Sequence, residues 1–94
     1  MRALRERLPA SRALARYQEV ARVVTGRAEA LAEDGVEWLA ALVEELEVPR
    51  LGTYGMRASD VGGVVEQAKR ASSMQGNPVA LSEEELAEVL SAAL

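Results

Sequence analysis

The chain has 94 residues, which is enough for one small domain with a modest hydrophobic core. Its composition is rich in Ala, Leu, Val and Glu and has no Phe, which favours packed helices over a sheet because strand formers other than Val are scarce. It has no Cys, which excludes disulfides and thiolate chemistry, and no His, the commonest general base. Carboxylates, which suit Mg²⁺ or Ca²⁺, are therefore the metal ligands that remain, and the net charge is −4.

The charge is distributed unevenly along the chain. Residues 1–27 carry seven arginines against two glutamates, a net +5, whereas residues 28–94 carry a net −9. An arginine-rich helix can contact nucleic acid or an acidic membrane surface, or it can be a solvated helix face. The acidic total and the lack of a nucleic-acid motif favour the solvated face. No apolar run approaches the ~20 residues of a membrane span and residues 1–7 do not form a signal peptide, so we expect a cytoplasmic protein without a membrane partner.

The N-terminal part of the chain predicts two helices. Residues 1–8 form a short amphipathic piece that Pro9 stops. The next helix spans residues 12–25, with Ser11 as its N-cap and Gly26 as its C-cap. Apolar residues recur at helical spacing and predict a buried stripe, which comprises Leu14, Tyr17, Val20, Ala21 and Val24.

A longer helix is predicted to begin at Ala28 or Ala32 and to end at Leu46, before Pro49. Gly35 interrupts it at a cost of about 1 kcal/mol relative to Ala, and this break can separate a short first helix from the main one. Its acidic groups suggest a divalent-ion or acid–base site, or else solvated surface charge, and the lack of a second convergent group favours surface charge. The apolar stripe of this helix comprises Val36, Leu39, Leu42, Val43 and Leu46.

A segment with two glycines, residues 51–55, connects this helix to the next one. Its glycines suit either a phosphate-binding loop or a turn, and the spacing of a phosphate-binding motif is missing. We therefore expect a turn, with Leu51 and Tyr54 anchored onto the helices. The third helix is predicted over residues 58–72, and the pair Gly62–Gly63 weakens its start.

The segment 71–78 ends the third helix and makes a turn for which Gly76 is predicted to be necessary. Ser82, with Glu85 three residues later, is a capping box that opens the last helix. Helices with short connections, without an internal repeat or a linker, predict an all-α fold. We expect a small bundle of about four to five helices in a single domain over residues 1–94.

Short segments along nearly the whole chain share their residues, in order, with one family. They are Leu4–Arg7, Tyr17–Arg22, Gly35–Leu39, Val48–Leu51, Tyr54–Gly55, Ser72–Pro78 and Leu81–Leu86. In these segments the chain resembles the C-terminal end of the iron-containing (group III) alcohol dehydrogenases. The Gly-Asn-Pro turn with a capped helix after it is the most specific feature. Arg57 and Gly62 depart from the family, which usually has a Ser/Thr cap and a Pro there, and both departures predict a looser helix start.

This resemblance implies a fold, cofactors and a site. In the family an α/β lobe binds NAD(P), and a helical lobe supplies one Asp and three His to a divalent metal, iron or zinc. The chain is similar to the part of the helical lobe that lies C-terminal to the last of these His residues. No metal ligand therefore falls on it, and we expect no catalytic residue and no cofactor in this chain alone. The family's turn lies near the substrate cleft, which implies that Ser73, Met74 and Gly76 line it; alternatively, they only form the turn.

Two functions remain open from the sequence. The first is a C-terminal helical fragment of an NAD(P)-dependent alcohol dehydrogenase that is not catalytic by itself and needs a partner polypeptide carrying the rest of the enzyme. The second is a stand-alone helical module that associates with itself, because a piece of a larger lobe exposes apolar surface, and we expect a homo-oligomer. A third, minor alternative is a nucleic-acid binder with an arginine face.

Overall fold

The computed structural model describes all residues from 1 to 94 and contains five α-helices, three short 3₁₀ segments and no strand, which confirms the predicted all-α fold. The chain forms two compact units, Met1–Val48 and Pro49–Leu94; the single domain expected over the whole chain stays a prediction. None of the helices is long and apolar enough to cross a membrane. The elements are α1 (Arg2–Arg7), α2 (Arg12–Thr25), α3 (Ala32–Glu45), α4 (Val61–Arg70) and α5 (Glu83–Ala92), with 3₁₀ segments at Leu51–Tyr54, Ala58–Asp60 and Ser72–Gly76.

In the N-terminal unit, helix α2 begins and ends at the residues that its caps predicted. The Ser11 hydroxyl accepts a hydrogen bond from the Leu14 N–H at 3.2 Å, which satisfies a donor that the first turn leaves unpaired. At the other end Gly26 adopts the left-handed conformation, with φ 69°, and the Thr25 hydroxyl donates to the Ala21 carbonyl at 2.7 Å.

The short helix α1 is held by one buried side chain and one ion pair. Leu4 is buried, and the Arg5 guanidinium donates two hydrogen bonds to the Glu33 carboxylate of α3, at 2.9 Å and 2.6 Å. The hydrogen bond from Arg5 lowers the pKa of Glu33, and the bond to Glu33 raises the pKa of Arg5. This two-point contact fixes α1 against the start of α3 even though both side chains are partly exposed.

Helix α3 runs through Gly35 without a break, so the predicted interruption there is wrong. A Cβ added at Gly35 would lie 2.9 Å from the Ala21 Cβ and 3.1 Å from the Ala21 Cα. The glycine therefore allows α2 and α3 to approach closely at this point. The helix begins where the Leu31 N–H donates to the Asp34 carboxylate at 2.7 Å, which satisfies the N–H of the N-cap residue although no Ser or Thr side chain caps this helix.

Helix α3 buries only part of its predicted apolar stripe, since Leu42 is half-buried and the other members are exposed. Its buried residues are small, Ala32 and Gly35, and they lie in the first turn. The contact with α2 at Ala21 is made through the small residue Gly35, and Ala32 and Gly35 lie one turn before Val36 and Leu39 on the same side of the helix. In α2, likewise, Leu14 and Ala21 are buried while two members of its predicted stripe are exposed. The exposed aliphatic residues of the stripe are between 47 % and 65 % exposed. They are Val36, Leu39 and Val43 of α3 and its C-cap residue Leu46, and we call them the α3 stripe.

The C-terminal unit has a smaller core than the N-terminal one. Val61 and Val65 of α4 are its buried side chains. The 3₁₀ segment Ala58–Asp60 precedes this helix, and the Arg57 N–H before it donates to the Asp60 carboxylate at 2.8 Å; a start looser than in the family stays a prediction. Tyr54 is 74 % exposed, so the prediction that it anchors the preceding turn onto the helices is wrong.

Helix α5 is opened by the capping box that the sequence predicted. The Ser82 N–H donates to the Glu85 carboxylate at 2.8 Å, and the Glu85 N–H donates to the Ser82 hydroxyl at 3.2 Å. The end of this helix is tied back to the start of the unit, because the Leu51 N–H donates to the Ala93 carbonyl at 3.0 Å. Hydrogen bonds between residues near in sequence thus determine where α5 begins.

Candidate functional site

The candidate site is a shallow cleft between the end of α4 and the start of α5. Its volume is about 220 Å³. Its floor is mostly apolar, and amide side chains and one ammonium group lie at its edge. A small ligand with an aliphatic body and one or two polar groups matches such a lining. The lining residues are Lys69, Met74, Gln75, Asn77, Val79, Ala80, Leu81 and Leu86.

The structure brings one of the three predicted cleft residues into this lining. Met74 is half-buried in it, and its sulfur accepts a weak hydrogen bond from the Asn77 amide at 3.7 Å. Ser73 and Gly76 belong to the same 3₁₀ segment, Ser72–Gly76, but are exposed and do not line the cleft. A contact between these residues and a substrate stays a prediction.

Gly76 is not required by the turn in this chain. Its backbone is not left-handed, and a Cβ added there would meet no atom within 4 Å. The prediction that the turn needs this glycine is therefore wrong, because a larger residue would meet no steric conflict here. The space next to Gly76 is accessible to a ligand or to another protein segment.

The electrostatics of the cleft edge are set by one cation and its carboxylates. Lys69 Nζ is hydrogen-bonded to the Glu83 carboxylate and lies 3.7 Å from that of Glu66. The hydrogen bond to Glu83 raises the pKa of Lys69, so the amine stays protonated at neutral pH and is not a nucleophile. The pKa of Glu84 is lowered, first by the backbone N–H at the start of α5 and then by Ser82.

Lys69 was not identified from the sequence as a residue of the cleft. Its separation from Glu83 in the sequence gave no periodic signal, because the contact joins two helices through an irregular turn. The apolar residues Val79 and Leu81 were also missed as lining residues. One feature of the sequence does single out Lys69, since it is the only lysine in the chain.

The side chains present do not fit a transition-metal site. The chain has no His and no Cys, and no group of three or more His, Cys, Asp or Glu side chains is placed so that it could hold a metal ion. Iron and zinc sites use imidazole or thiolate ligands together with carboxylates, and the scattered acids on α3 and α5 do not converge. No reaction step through a metal can be derived from these residues.

The comparison with known families decides the identity of this fold. A family model for the C-terminal region of Fe-containing alcohol dehydrogenases matches residues 3–94. The chain belongs to the Fe-containing alcohol dehydrogenase family. No curated protein and no solved structure matches it.

Membership of the Fe-containing alcohol dehydrogenase family agrees with the helical fold and confirms the resemblance seen in the sequence. The match covers the C-terminal region of the family, and the residues in this region do not supply the donors that iron needs.

Proposed function

We propose that these residues form a helical wall of the substrate cleft in an NAD(P)-dependent alcohol dehydrogenase and do not catalyse hydride transfer by themselves. In this proposal, residues outside this 94-residue chain supply the metal ligands and bind the nucleotide. The chain's own side chains exclude water from the cleft and contact the aliphatic part of the substrate. A cytoplasmic location is part of the same proposal.

The observation that carries this proposal is the family match over residues 3–94 together with the donor set of the chain. The family requires a redox-active site, and this region has no imidazole or thiolate with which to build one. It does have an apolar cleft beside the turn where the resemblance is most specific. The open space at Gly76 supports an approach by another part of the enzyme or by a substrate.

The first experiment measures the activity of the chain alone. Purified protein is analysed for iron and zinc and is assayed for NAD(P)H-linked reduction of short aliphatic aldehydes. We expect less than stoichiometric metal and no turnover above the buffer rate. Steady turnover, or one tightly bound metal per chain, would contradict the proposal that these residues are not catalytic alone.

The second experiment supplies the rest of the enzyme. A polypeptide with the nucleotide lobe and the metal ligands of a family member is mixed with the chain, and NAD(P)H oxidation is monitored. We expect activity to appear only in the mixture. In the active mixture, Gly76→Leu should raise KM for the aldehyde, while Gly62→Leu, at another glycine with open space in the same unit, serves as the control.

A second candidate function is a helical module that associates with itself. It is favoured by the α3 stripe, a row of exposed aliphatic side chains on one helix face. Contiguous apolar surface of this kind is costly in water and usually marks a contact with another molecule. Either a second copy of the chain or a partner polypeptide carrying the rest of the enzyme could cover it.

A further inference from the structure

We propose that Met74 is a redox-sensitive site of the cleft, where oxidation of its thioether to a sulfoxide weakens the binding of aliphatic ligands. The inference rests on the proposed function, because it takes the cleft as the place where the aliphatic part of a substrate binds. It adds a chemical modification that changes the lining of that cleft. Two observations carry it: the position of the sulfur in a shallow apolar cleft and the amide donor beside it.

The Met74 thioether is accessible to a small oxidant. The side chain is half-buried, and it lines a shallow cleft from the 3₁₀ segment Ser72–Gly76 instead of lying in a packed core. The residues on either side of it, Ser73 and Gln75, are exposed. The chain has no Cys, so methionine thioethers are the only sulfur groups that an oxidant can attack.

A hydroperoxide supplies the oxygen atom. The Met74 sulfur attacks one peroxide oxygen, an S–O bond forms as the O–O bond breaks, and hydrogen peroxide leaves as water. The sulfur loses two electrons and the peroxide gains them, so the step needs no further reactant. The product is a sulfoxide, which is polar where the thioether is apolar, and methionine sulfoxide reductases reverse the change.

Asn77 is placed to bind the new oxygen. Its backbone N–H donates to the Met74 carbonyl at 3.2 Å, and its side-chain amide donates a weak hydrogen bond to the Met74 sulfur at 3.7 Å. A thioether sulfur is a weak acceptor. A sulfoxide oxygen on the amide side of the sulfur would accept from Asn77 at about 2.9 Å, the usual length of an N–H···O bond. This bond stabilises the oxidised side chain at the cleft.

The sulfoxide changes what the cleft binds. The aliphatic side chains of Val79, Leu81 and Leu86 line the cleft together with Met74. A thioether is apolar and polarizable, so it contacts an aliphatic ligand as these side chains do. A sulfoxide oxygen accepts more than the one bond that Asn77 donates, and it therefore also binds water. An aliphatic ligand must displace this water without replacing its hydrogen bond, which weakens binding.

The experiment follows the cleft of the 94-residue chain by NMR before and after treatment with hydrogen peroxide. Mass spectrometry of peptides identifies which methionines carry oxygen. The ligand probe is 1-butanol, and the backbone amide signals of residues 74–81 report its binding. We expect peroxide to oxidise Met74, to shift the side-chain amide signals of Asn77 and to weaken butanol binding at least about fivefold. Methionine sulfoxide reductases should restore the binding.

Two variants separate Met74 from the other methionines. Met74→Leu keeps an aliphatic side chain and retains Met1 and Met56, so peroxide should leave its butanol binding unchanged. Met74→Gln places a polar group at the same position, so its butanol binding should be weak without peroxide. Circular dichroism checks that the oxidised chain and both variants are helical. If the oxidised chain is not, the comparison of Met74→Gln with Met74→Leu decides the question.

Each contrary result has a distinct meaning. A Met74 that resists peroxide while Met56 is oxidised would overturn the inference, because its sulfur would not be accessible. Unchanged butanol binding after full oxidation of Met74, or equal weakening in Met74→Leu, would overturn it and leave the cleft of the proposed function standing. An untreated chain that does not bind butanol would remove the cleft as an aliphatic site, and with it both this inference and the substrate contact in the proposed function.

Discussion

In the N-terminal unit, helices α2 and α3 pack through Ala21 and Gly35, and most of the larger aliphatic side chains of α3 remain exposed. In the C-terminal unit, helix α4 buries Val61 and Val65, and local hydrogen bonds define where its helices and turns begin. The first unit thus depends on the close approach of two helices, whereas the second depends more on contacts between residues near in sequence. The difference predicts which substitutions each unit tolerates.

The largest effect is expected from Leu14→Ala in the N-terminal unit. Leu14 is 4 % exposed, and its loss should lower the free energy of unfolding by about 2–4 kcal/mol through lost burial and a residual cavity. Val65→Ala in the C-terminal unit removes fewer atoms and should cost about 1.5–2.5 kcal/mol. Urea unfolding measures the loss in both variants. The protein concentration is held fixed, because self-association would change the apparent free energy of unfolding. Equal losses in the free energy of unfolding for the two variants would contradict the difference between the two units.

Gly35→Ala should reduce the free energy of unfolding by about 1–2 kcal/mol. The new methyl group would meet Ala21 at 2.9 Å, and this overpacking outweighs the helix propensity gained. The double variant Ala21→Gly with Gly35→Ala should recover part of the loss, because the space for the methyl group is restored.

The matched control for this test is Gly63→Ala, in a helix of the other unit. A Cβ at Gly63 meets nothing within 4 Å, so the same change should increase stability there by about 0.5–1 kcal/mol. Thermal unfolding of the two variants should therefore shift in opposite directions. A shift of the same sign in both would mean that the helix contact at Gly35 is not tight.

Ser82→Ala tests the local contacts of the C-terminal unit. Removing the hydroxyl that accepts from the Glu85 N–H should cost about 1 kcal/mol and should fray the first turn of α5. Hydrogen exchange at the amides of that turn would detect the fraying. Ser82→Asp, which keeps an acceptor at the helix start, should restore protection and is the control.

The smallest effect is the pH dependence of the ion pair that holds α1. Because the pKa of Glu33 is lowered in the folded chain, its contribution to stability is present above the unfolded pKa, about 4.3, and is lost as pH falls through the folded value. Urea midpoints between pH 7 and pH 3 should fall less in Glu33→Gln than in the unaltered chain below about pH 5. Both side chains are substantially exposed, so the difference should be small.

The candidate site was predictable only in part. The resemblance placed Met74 at a substrate cleft. Met74 lines the cleft beside the start of α5, and whether a substrate binds there stays a prediction. Lys69 and Leu81 could not be placed there, because the irregular turn between α4 and α5 determines which side chains converge and carries no periodic pattern. Whether Ser73 and Gly76 touch a substrate depends on parts of an enzyme beyond these residues.

Several helix ends were determined by the sequence itself. Ser11, Gly26 and the pair Ser82–Glu85 mark helix boundaries through hydrogen bonds or backbone angles within a few residues, so no tertiary information is needed. The tertiary structure alone decided how little of the apolar side of α3 is buried. Helical periodicity identifies an apolar face but not what packs against it, and Gly35 lowers helix propensity in isolation while allowing a close helix contact in the fold.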